Sequence, residues 1–436
     1  MDVEGVGKRI MEGLGMKNND VPYFSTGSDL LDMVVGGAPN VFGYPAGKFI
    51  NIVGDKSAGK TFLANEMIAA AYWKYGKDFR WVYDDCESGY SFDTVEMYGF
   101  QIAAGDGPHS DTIERAFCNI SDFAESLKKG QFGIYVIDSL DGLTSKEADK
   151  QARDRLKAHK QGKEYDEGSY NMGKPRYLSR EFFPQLCGVV QDKNILVVII
   201  SQVRENIDMF SFEKFKRNGG KALDFYAHTV LWLATMKKVV KKGRSVGVVV
   251  KAKVTKSKTP RPFRECLFTL LFDYGLDNTG TSLDFLFDLR TDKGELQAAA
   301  KSIAWGGEGE AEKPNVLKIK KFLKSQLCPI PNPRSGPDRM SDAMALFMRN
   351  NVKVSLDKLL DFIGEHPGLE EAYKKEHGAG GAVVMSRENL IRHIEGDEAQ
   401  AKTLYALVHA KWESVEAGIR SNRRKRYGTQ PKGGDA

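Results

Sequence analysis

The chain has 436 residues, of which 41% are hydrophobic and 28% are charged, and its formal net charge is +6. This length allows one large core and two or three domains, and the composition excludes a wholly disordered protein. The mildly basic charge permits a polyanionic partner but does not require one.

No segment indicates a membrane or an export signal. Apolar runs such as 195–200 and 246–250 are far shorter than a bilayer span, and the first residues lack the apolar core of a signal peptide. The cysteines are scattered without a CxxC pair, which predicts reduced thiols instead of a disulfide framework or a zinc site. We therefore expect a cytoplasmic protein that does not bind membranes. The cysteines are Cys86, Cys118, Cys187, Cys266 and Cys328.

Residues 1–22 have the spacing of a short amphipathic helix, which we interpret as an oligomerisation segment. From 23 to 295, apolar runs of strand length alternate with helical stretches such as Gly59–Tyr75, and this order predicts an α/β fold with a mostly parallel sheet flanked by helices. Two further strands, Val246–Thr255 and Glu265–Asp273, predict an antiparallel extension at one edge. The parallel strands are expected at Lys48–Gly54, Phe79–Asp84, Phe132–Asp138, Ile195–Ser201 and Thr229–Ala234.

The last third of the chain has a different composition. Gly- and Pro-rich breaks indicate a linker with a helix over 296–340, and helical patterns then predict a smaller helical domain over 341–420. The basic residues Arg423–Arg426 begin a tail, 421–436, that we expect to be disordered.

A phosphate-binding motif follows the strand Lys48–Gly54 and opens the next helix. It fits GxxxxGK[ST], in which backbone N–H groups and the helix N-terminus surround the phosphates, the lysine reaches the β- and γ-phosphates, and the hydroxyl binds Mg²⁺. The pattern predicts ATP and Mg²⁺ as cofactors. Its residues are Gly54, Asp55, Lys56, Ser57, Ala58, Gly59, Lys60 and Thr61.

Two more acidic positions complete the expected hydrolytic site. Asp138 ends an apolar strand, so we interpret it with Thr61 as the group that holds the metal. Glu87 lies just after the second strand, where it is suited to orient the attacking water, but Asp84 and Asp85 compete with it for that role.

Two long segments that follow strands, Lys157–Pro175 and Arg204–Gly220, are predicted to be loops that contact DNA. The second interleaves cations with aromatic residues, a combination suited to phosphates and bases of a single strand. The predicted DNA-binding residues are Arg176, Arg204, Phe210, Lys214, Lys216, Arg217, Gly219 and Gly220.

Several segments in order resemble the RecA recombinases and cover about residues 22–290. They match the family's STGxxxLD segment, its first DNA-binding loop, its glutamine switch, its GGxALxFYA stretch and its two-lysine motif. Lys256–Thr259 and Asp273–Leu289 are also similar to bacteriophage recombinases of the UvsX type, for which the location would be the host cytoplasm. The five matching segments are Pro22–Gly37, Gly168–Gly173, Ser201–Arg204, Gly219–Ala227 and Val254–Lys258.

The resemblance implies a role for each matched residue. Glu87 would activate water, Gln202 would sense the γ-phosphate, and Lys256 and Lys258 would reach the ATP of a neighbouring subunit. It further implies a helical filament on single-stranded DNA that pairs it with double-stranded DNA in recombination and repair. Two alternatives remain open: a hexameric helicase or translocase of the same fold, and a DNA-coating filament or mediator with weak ATPase activity.

Two departures from the family pattern qualify the resemblance. The charged stretch from Leu143 to Gly168 is longer than in the family and predicts an extra helix. Thr94 stands where the family stacks a tyrosine on adenine, so Phe92 or Tyr98 is a candidate for that contact.

Overall fold

The structure is a computed structural model. It describes residues 22–37, 41–103, 107–161, 176–205, 215–217, 220–289, 302–305, 320, 356–366 and 383–419. The predicted N-terminal helix, most of the linker and the basic tail lie outside the described residues. Among the helices that are described, none is both long enough and apolar enough to cross a bilayer.

A sheet of nine strands organises the described part of the chain. A separate ribbon pairs β1 (Tyr23–Phe24) with β2 (Tyr44–Pro45), and the strands of the sheet are β3 (Lys48–Gly54), β4 (Phe79–Asp85), β5 (Phe132–Asp138), β6 (Ile195–Glu205), β7 (Phe215–Arg217), β8 (Thr229–Lys241), β9 (Arg244–Ser257), β10 (Glu265–Leu271) and β11 (Gly275–Leu276). The order β4-β5-β6-β3-β8 is parallel throughout, β9, β10 and β11 extend it antiparallel beyond β8, and β7 pairs separately with β6. The predicted mostly parallel sheet and its antiparallel extension are confirmed.

Helices connect and cover these strands, and several begin at side chains that cap them. The hydroxyls of Ser28, Thr112 and Ser145 accept hydrogen bonds from backbone N–H groups in the first turn of the helix that follows each of them, which satisfies donors without an intrahelical partner. The helices are α1 (Asp29–Gly36), α2 (Lys60–Tyr75), α3 (Thr94–Tyr98), α4 (Ile113–Ser126), α5 (Lys146–Lys160), α6 (Phe183–Val190), α7 (Gly220–Tyr226), α8 (Asn278–Leu286), α9 (Leu356–Gly364), α10 (Arg387–Glu395) and α11 (Glu398–Gly418).

The sheet separates two hydrophobic clusters. Alternate residues of β3 point to opposite faces, so Ile50 and Ile52 join the cluster that contains α1 and α2, whereas Phe49 and Val53 join the cluster that contains α4 and α6. A strand buried on both faces is predominantly apolar, which explains why the sequence pattern located β3 and β5 with their observed bounds.

The described C-terminal helices extend the first of these clusters. Leu390 of α10 and Val408 of α11 are fully buried there with residues of the sheet. The ribbon of β12 (Ser302–Trp305) with β13 (Val383–Ser386) was not predicted. The boundary at residue 295 lies outside the described residues, so the division into domains stays a prediction.

The two predicted DNA loops contain more regular structure than expected. The segment from 157 begins within α5, which extends to Lys160, so the helix predicted in the charged stretch is present. In the second segment, β6 continues to Glu205 and pairs with β7, and α7 begins at Gly220. Pairing with β6 satisfies backbone groups that a loop would leave to solvent, a long-range contact that local composition does not reveal.

Candidate functional site

The phosphate-binding loop connects the end of β3 to the beginning of α2 at the carboxyl-terminal edge of the parallel strands. Ser57 and Gly59 both have left-handed backbone conformations, with φ of 60° and 85°. A Cβ on Gly59 would lie 2.3 Å from Leu270 Cδ1, and one on Gly54 would lie 2.9 Å from the Leu233 carbonyl oxygen. Glycine is therefore required at both ends of the loop.

Lys60, the first residue of α2, bends back over this loop. Its Nζ donates to the carbonyl oxygens of Gly54 at 3.0 Å and Asp55 at 2.8 Å. Burial lowers the pKa of Lys60, and the nearby carboxylates of Asp138 and Asp55 act in the opposite direction. The ammonium group is thus held at the centre of the loop, where phosphates would replace the carbonyl oxygens as its partners.

Thr61 and Asp138 lie together, as the sequence predicted. Thr61 Oγ1 donates to Asp138 Oδ2 at 2.8 Å, and the Tyr83 hydroxyl donates to the same oxygen at 2.6 Å. Burial raises the pKa of Asp138, while both hydrogen bonds act to lower it. Sequence reasoning missed Tyr83, although its position in β4, next to β5, placed it within reach of Asp138.

Glu87 and Gln202 meet across the mouth of the site. Gln202 Nε2 donates to Glu87 Oε1 at 2.8 Å, and Ser139 Oγ donates to the same carboxylate oxygen. The backbone N–H of Gln202 donates to Asp141 Oδ2 at 2.8 Å. The carboxylate is therefore connected directly to β6, the strand that continues into the β6–β7 ribbon.

The competing carboxylates are committed to structural contacts. Asp84 is fully buried and accepts bonds from the Ser110 backbone N–H, the Ser110 hydroxyl and the Tyr135 hydroxyl, at 2.8, 2.6 and 2.8 Å. Asp85 accepts the backbone N–H groups of Tyr90 at 2.9 Å and Glu87 at 3.2 Å. Of the three candidates, Glu87 is the exposed one, and Asp84 and Asp85 hold the segment that carries it.

Substitution of Asp84 tests this division of roles. Asp84→Ala leaves buried hydroxyl and amide donors unsatisfied, so we expect the free energy of unfolding to fall by about 2–4 kcal/mol. Urea denaturation measures the change, with the exposed Asp78→Ala as the control that stays near zero. An Asp84→Ala protein of unchanged stability would contradict the structural role.

Thr94 cannot stack on a base. It is fully buried, and its hydroxyl accepts the backbone N–H of Ile102 at 3.0 Å. Tyr98 donates its hydroxyl to Glu66 at 2.9 Å. Phe92 packs edge-on against Phe62, with ring centroids 4.8 Å apart, one residue from Thr61. Phe92 therefore contacts a residue next to the phosphate-binding loop, whereas Tyr98 contacts Glu66, further along α2.

Lys256 and Lys258 lie at the opposite, amino-terminal edge of the parallel strands. Lys256 pairs with Val230 near the beginning of β8, and the Lys258 backbone N–H donates to the His228 carbonyl at 2.9 Å. Lys256 Nζ contacts the carbonyl oxygens of Ala227 and, at 3.5 Å, Phe225, at the C-terminal end of α7. The structure therefore separates both lysines from the loop of their own chain.

The predicted DNA-binding residues lie in three places. Arg176 is exposed at the start of the helical segment that leads through the turn Leu178–Phe182 into α6. Gly220 begins α7. Arg204, Lys216 and Arg217 belong to the β6–β7 ribbon, and Phe210, Lys214 and Gly219 lie outside the described residues.

The oxygen ligands at the phosphate-binding loop suit Mg²⁺. A hydroxyl and a carboxylate, from Thr61 and Asp138, converge within 2.8 Å of each other beside the loop, and Mg²⁺ prefers few protein oxygens together with phosphates. Within the described part of the chain, no cluster of three or more His, Cys, Asp or Glu forms a separate metal site. The four cysteines described there are free.

Comparison with known proteins agrees with this geometry. The family model for the RecA N-terminal domain matches residues 4–277, which is more than half of the chain. The chain belongs to the RecA family. A RecA protein of Ruminococcus albus is 30% identical over 272 residues, 62% of this chain and 62% of that protein.

Two further proteins are less than 30% identical to this RecA-family chain. A RecA protein of Syntrophus aciditrophicus is 29% identical over 69% of this chain and 80% of its own length. The crystal structure of a RadB recombinase is 19% identical, covers 58% of this chain and 98% of its own, and gives a TM-score of 0.39. The chain spans less than two thirds of the Ruminococcus protein's length.

Proposed function

We propose that this protein is a DNA-dependent ATPase that forms a filament on single-stranded DNA and catalyses homologous pairing and strand exchange. The observation that carries the proposal is the contact between Glu87 and Gln202, which links the nucleotide site to the β6–β7 ribbon. A nucleotide bound beside Glu87 would therefore change the position of the β6–β7 ribbon, where DNA contacts are expected.

The residues around the loop have distinct tasks in hydrolysis. Backbone N–H groups of Gly54–Thr61 and the Lys60 ammonium hold the phosphates and neutralise their charge. Thr61 and Asp138 would hold Mg²⁺, which would supply positive charge to stabilise the phosphates during hydrolysis. Glu87 orients the attacking water and accepts its proton, because it is exposed whereas Asp84 and Asp85 are buried.

Gln202 is proposed as the switch between nucleotide and DNA. Its side chain is bonded to Glu87 and its backbone to Asp141, so a γ-phosphate that competes for the amide would move the end of β6. The ribbon and the segment 206–214 follow immediately. Binding of ATP and of DNA should therefore strengthen each other by the same factor.

The separation of Lys256 and Lys258 from their own phosphate-binding loop supports action on a neighbouring subunit. A surface at one edge of the sheet that completes a site at the opposite edge of another copy is a head-to-tail interface, and repetition of such an interface builds a filament or a ring. ATP would then lie between subunits, as the resemblance implies.

Gln202→Ala tests the proposed coupling. We expect ATP binding to persist, since Lys60 and the loop are intact, while stimulation of hydrolysis by single-stranded DNA falls by at least about tenfold. Hydrolysis rates with and without DNA measure the stimulation, and ATP titrations measure the affinity for ATP. The exposed Gln101→Ala is the control and should behave like the wild type. Full stimulation of Gln202→Ala by DNA would refute the switch.

A further inference from the structure

A cavity of about 640 Å³ opens at the amino-terminal edge of the sheet, away from the phosphate-binding loop. It lies between the beginning of β3, the beginning of β6 and the segment that precedes β8. Both polar and charged side chains line it. They include Lys48, Asp192, Asn194, Tyr226, His228 and Lys258.

Three lysines converge on one imidazole at this cavity. His228 is buried, and burial lowers its pKa to about 4, with Lys48, Lys256 and Lys258 acting in the same direction through their charge. Each of these lysines is therefore close enough to influence the same ring. The cavity is lined by one carboxylate, Asp192, and by three lysines, Lys48, Lys193 and Lys258, and this excess of positive charge favours an anionic ligand.

Backbone hydrogen bonds fix this arrangement. The His228 N–H donates to the Phe49 carbonyl and the Lys258 N–H donates to the His228 carbonyl, both at 2.9 Å. Lys48 directly precedes Phe49 at the start of β3 and is exposed. The segment that contains His228 is thus bonded on one side to the start of β3, which carries Lys48, and on the other side to the segment that carries Lys258.

The nucleotide bound by the same chain is too far away to be the anion. Lys48 and Gly54 are the first and last residues of β3, and a strand rises about 3.3 Å per residue, so the cavity lies roughly 20 Å from the loop of its own chain. A second copy placed head to tail brings its loop to this edge.

We propose that Lys48 is a third cation, beside Lys256 and Lys258, that binds the phosphates of ATP held by the phosphate-binding loop of a second copy. This inference rests on the proposed function and adds a residue that the two-lysine motif does not contain. Lys256 contacts the carbonyl oxygens of Ala227 and Phe225, so Lys48 and Lys258 present the exposed charge at the cavity. A phosphate placed between them relieves the mutual repulsion of the lysines.

Mixing of full-length variants tests this assignment. Lys48→Ala keeps its own loop but lacks the proposed trans cation, whereas Lys60→Arg has a defective loop but an intact cavity. Alone, Lys48→Ala should lose about 10- to 100-fold in DNA-dependent hydrolysis, with unchanged ATP binding when dilute. In an equimolar mixture, one interface in four combines an intact loop with an intact cavity, so we expect recovery to about a quarter of the wild-type rate.

Two references make the outcomes distinct. Lys77→Ala removes an exposed lysine elsewhere and should hydrolyse ATP normally. Lys48→Arg keeps the charge and should retain much of the hydrolysis rate, so it serves as the second test variant if Lys48→Ala does not fold. Recovery in the Lys48→Ala and Lys60→Arg mixture supports the proposal. Normal hydrolysis by Lys48→Ala, or recovery only when Lys256→Ala replaces Lys48→Ala in the mixture, overturns it and spares the proposed function. No recovery in either mixture overturns the proposal that ATP lies between two copies, and with it the role of Lys48.

Discussion

Glu87→Gln is expected to lower DNA-stimulated ATP hydrolysis by about 10²- to 10⁴-fold while ATP binding is retained. Glutamine has the shape of the carboxylate but cannot accept the proton of the attacking water. The hydrogen bond of Lys60 to the phosphate-binding loop and the pair formed by Thr61 and Asp138 do not involve this side chain. Single-turnover hydrolysis and nucleotide titration measure the two effects separately.

Glu96→Gln is the matched control for this substitution. Glu96 is also an exposed glutamate, in α3, but the contact to Gln202 is made by Glu87. Its hydrolysis rate should equal that of the wild type. Near-normal turnover by Glu87→Gln would instead show that another group, such as Asp85, acts as the base.

Glu416→Ala is expected to reduce the free energy of unfolding by about 3–5 kcal/mol, because it leaves a buried cation without its partner. Glu416 of α11 is bonded to Arg261 and to Arg264, and the side chains of Glu416 and Arg264 are only 4% and 8% exposed. Hydrogen bonds from Arg264 and Arg261 outweigh the effect of burial and lower the pKa of Glu416. Thermal and urea denaturation measure the loss.

A surface ion pair on the same helix provides the control. Glu398 contacts Lys402 at 2.7 Å, but both side chains are about half exposed, so Glu398→Ala should cost less than about 1 kcal/mol. Arg264→Met combined with Glu416→Leu should recover part of the stability, since it removes both buried charges. Equal effects of Glu416→Ala and Glu398→Ala would show that the buried contact does not hold α11 to the core.

The position of this contact connects the C-terminal helix to the proposed trans surface. Arg261 and Arg264 follow Lys258 in the connection between β9 and β10, so α11 braces the segment that begins with that lysine. Arg264 also lies 5.5 Å from the Trp412 ring centroid of the same helix. The C-terminal helix α11, in which the sequence shows no motif, thus stabilises the segment that follows Lys258.

The parallel core was predictable because its strands are buried on both faces. Continuous apolar runs with a glycine or carboxylate at the end define β3 and β5 without ambiguity. The β6–β7 ribbon and the β12–β13 ribbon depend on pairing between residues far apart in the chain, and local composition carries no information on such partners.

The site followed the same division. The motif located Lys60, Thr61 and Asp138, because phosphate chemistry requires those groups in that order. Asp84, Asp85 and Glu87 are chemically alike in the sequence, and only the buried partners of the first two distinguish them. The convergence of Lys48 with Lys256 and Lys258 joins residues separated by the whole length of the core, so no sequence motif contains it.

ATP hydrolysis with and without single-stranded DNA, with electron microscopy of the same samples, tests the central proposal most directly. We expect strong stimulation by DNA together with helical filaments. Stimulation with closed rings would favour a hexameric motor, and filaments without hydrolysis would leave a DNA-coating protein. Hydrolysis that does not respond to DNA would contradict the proposed function.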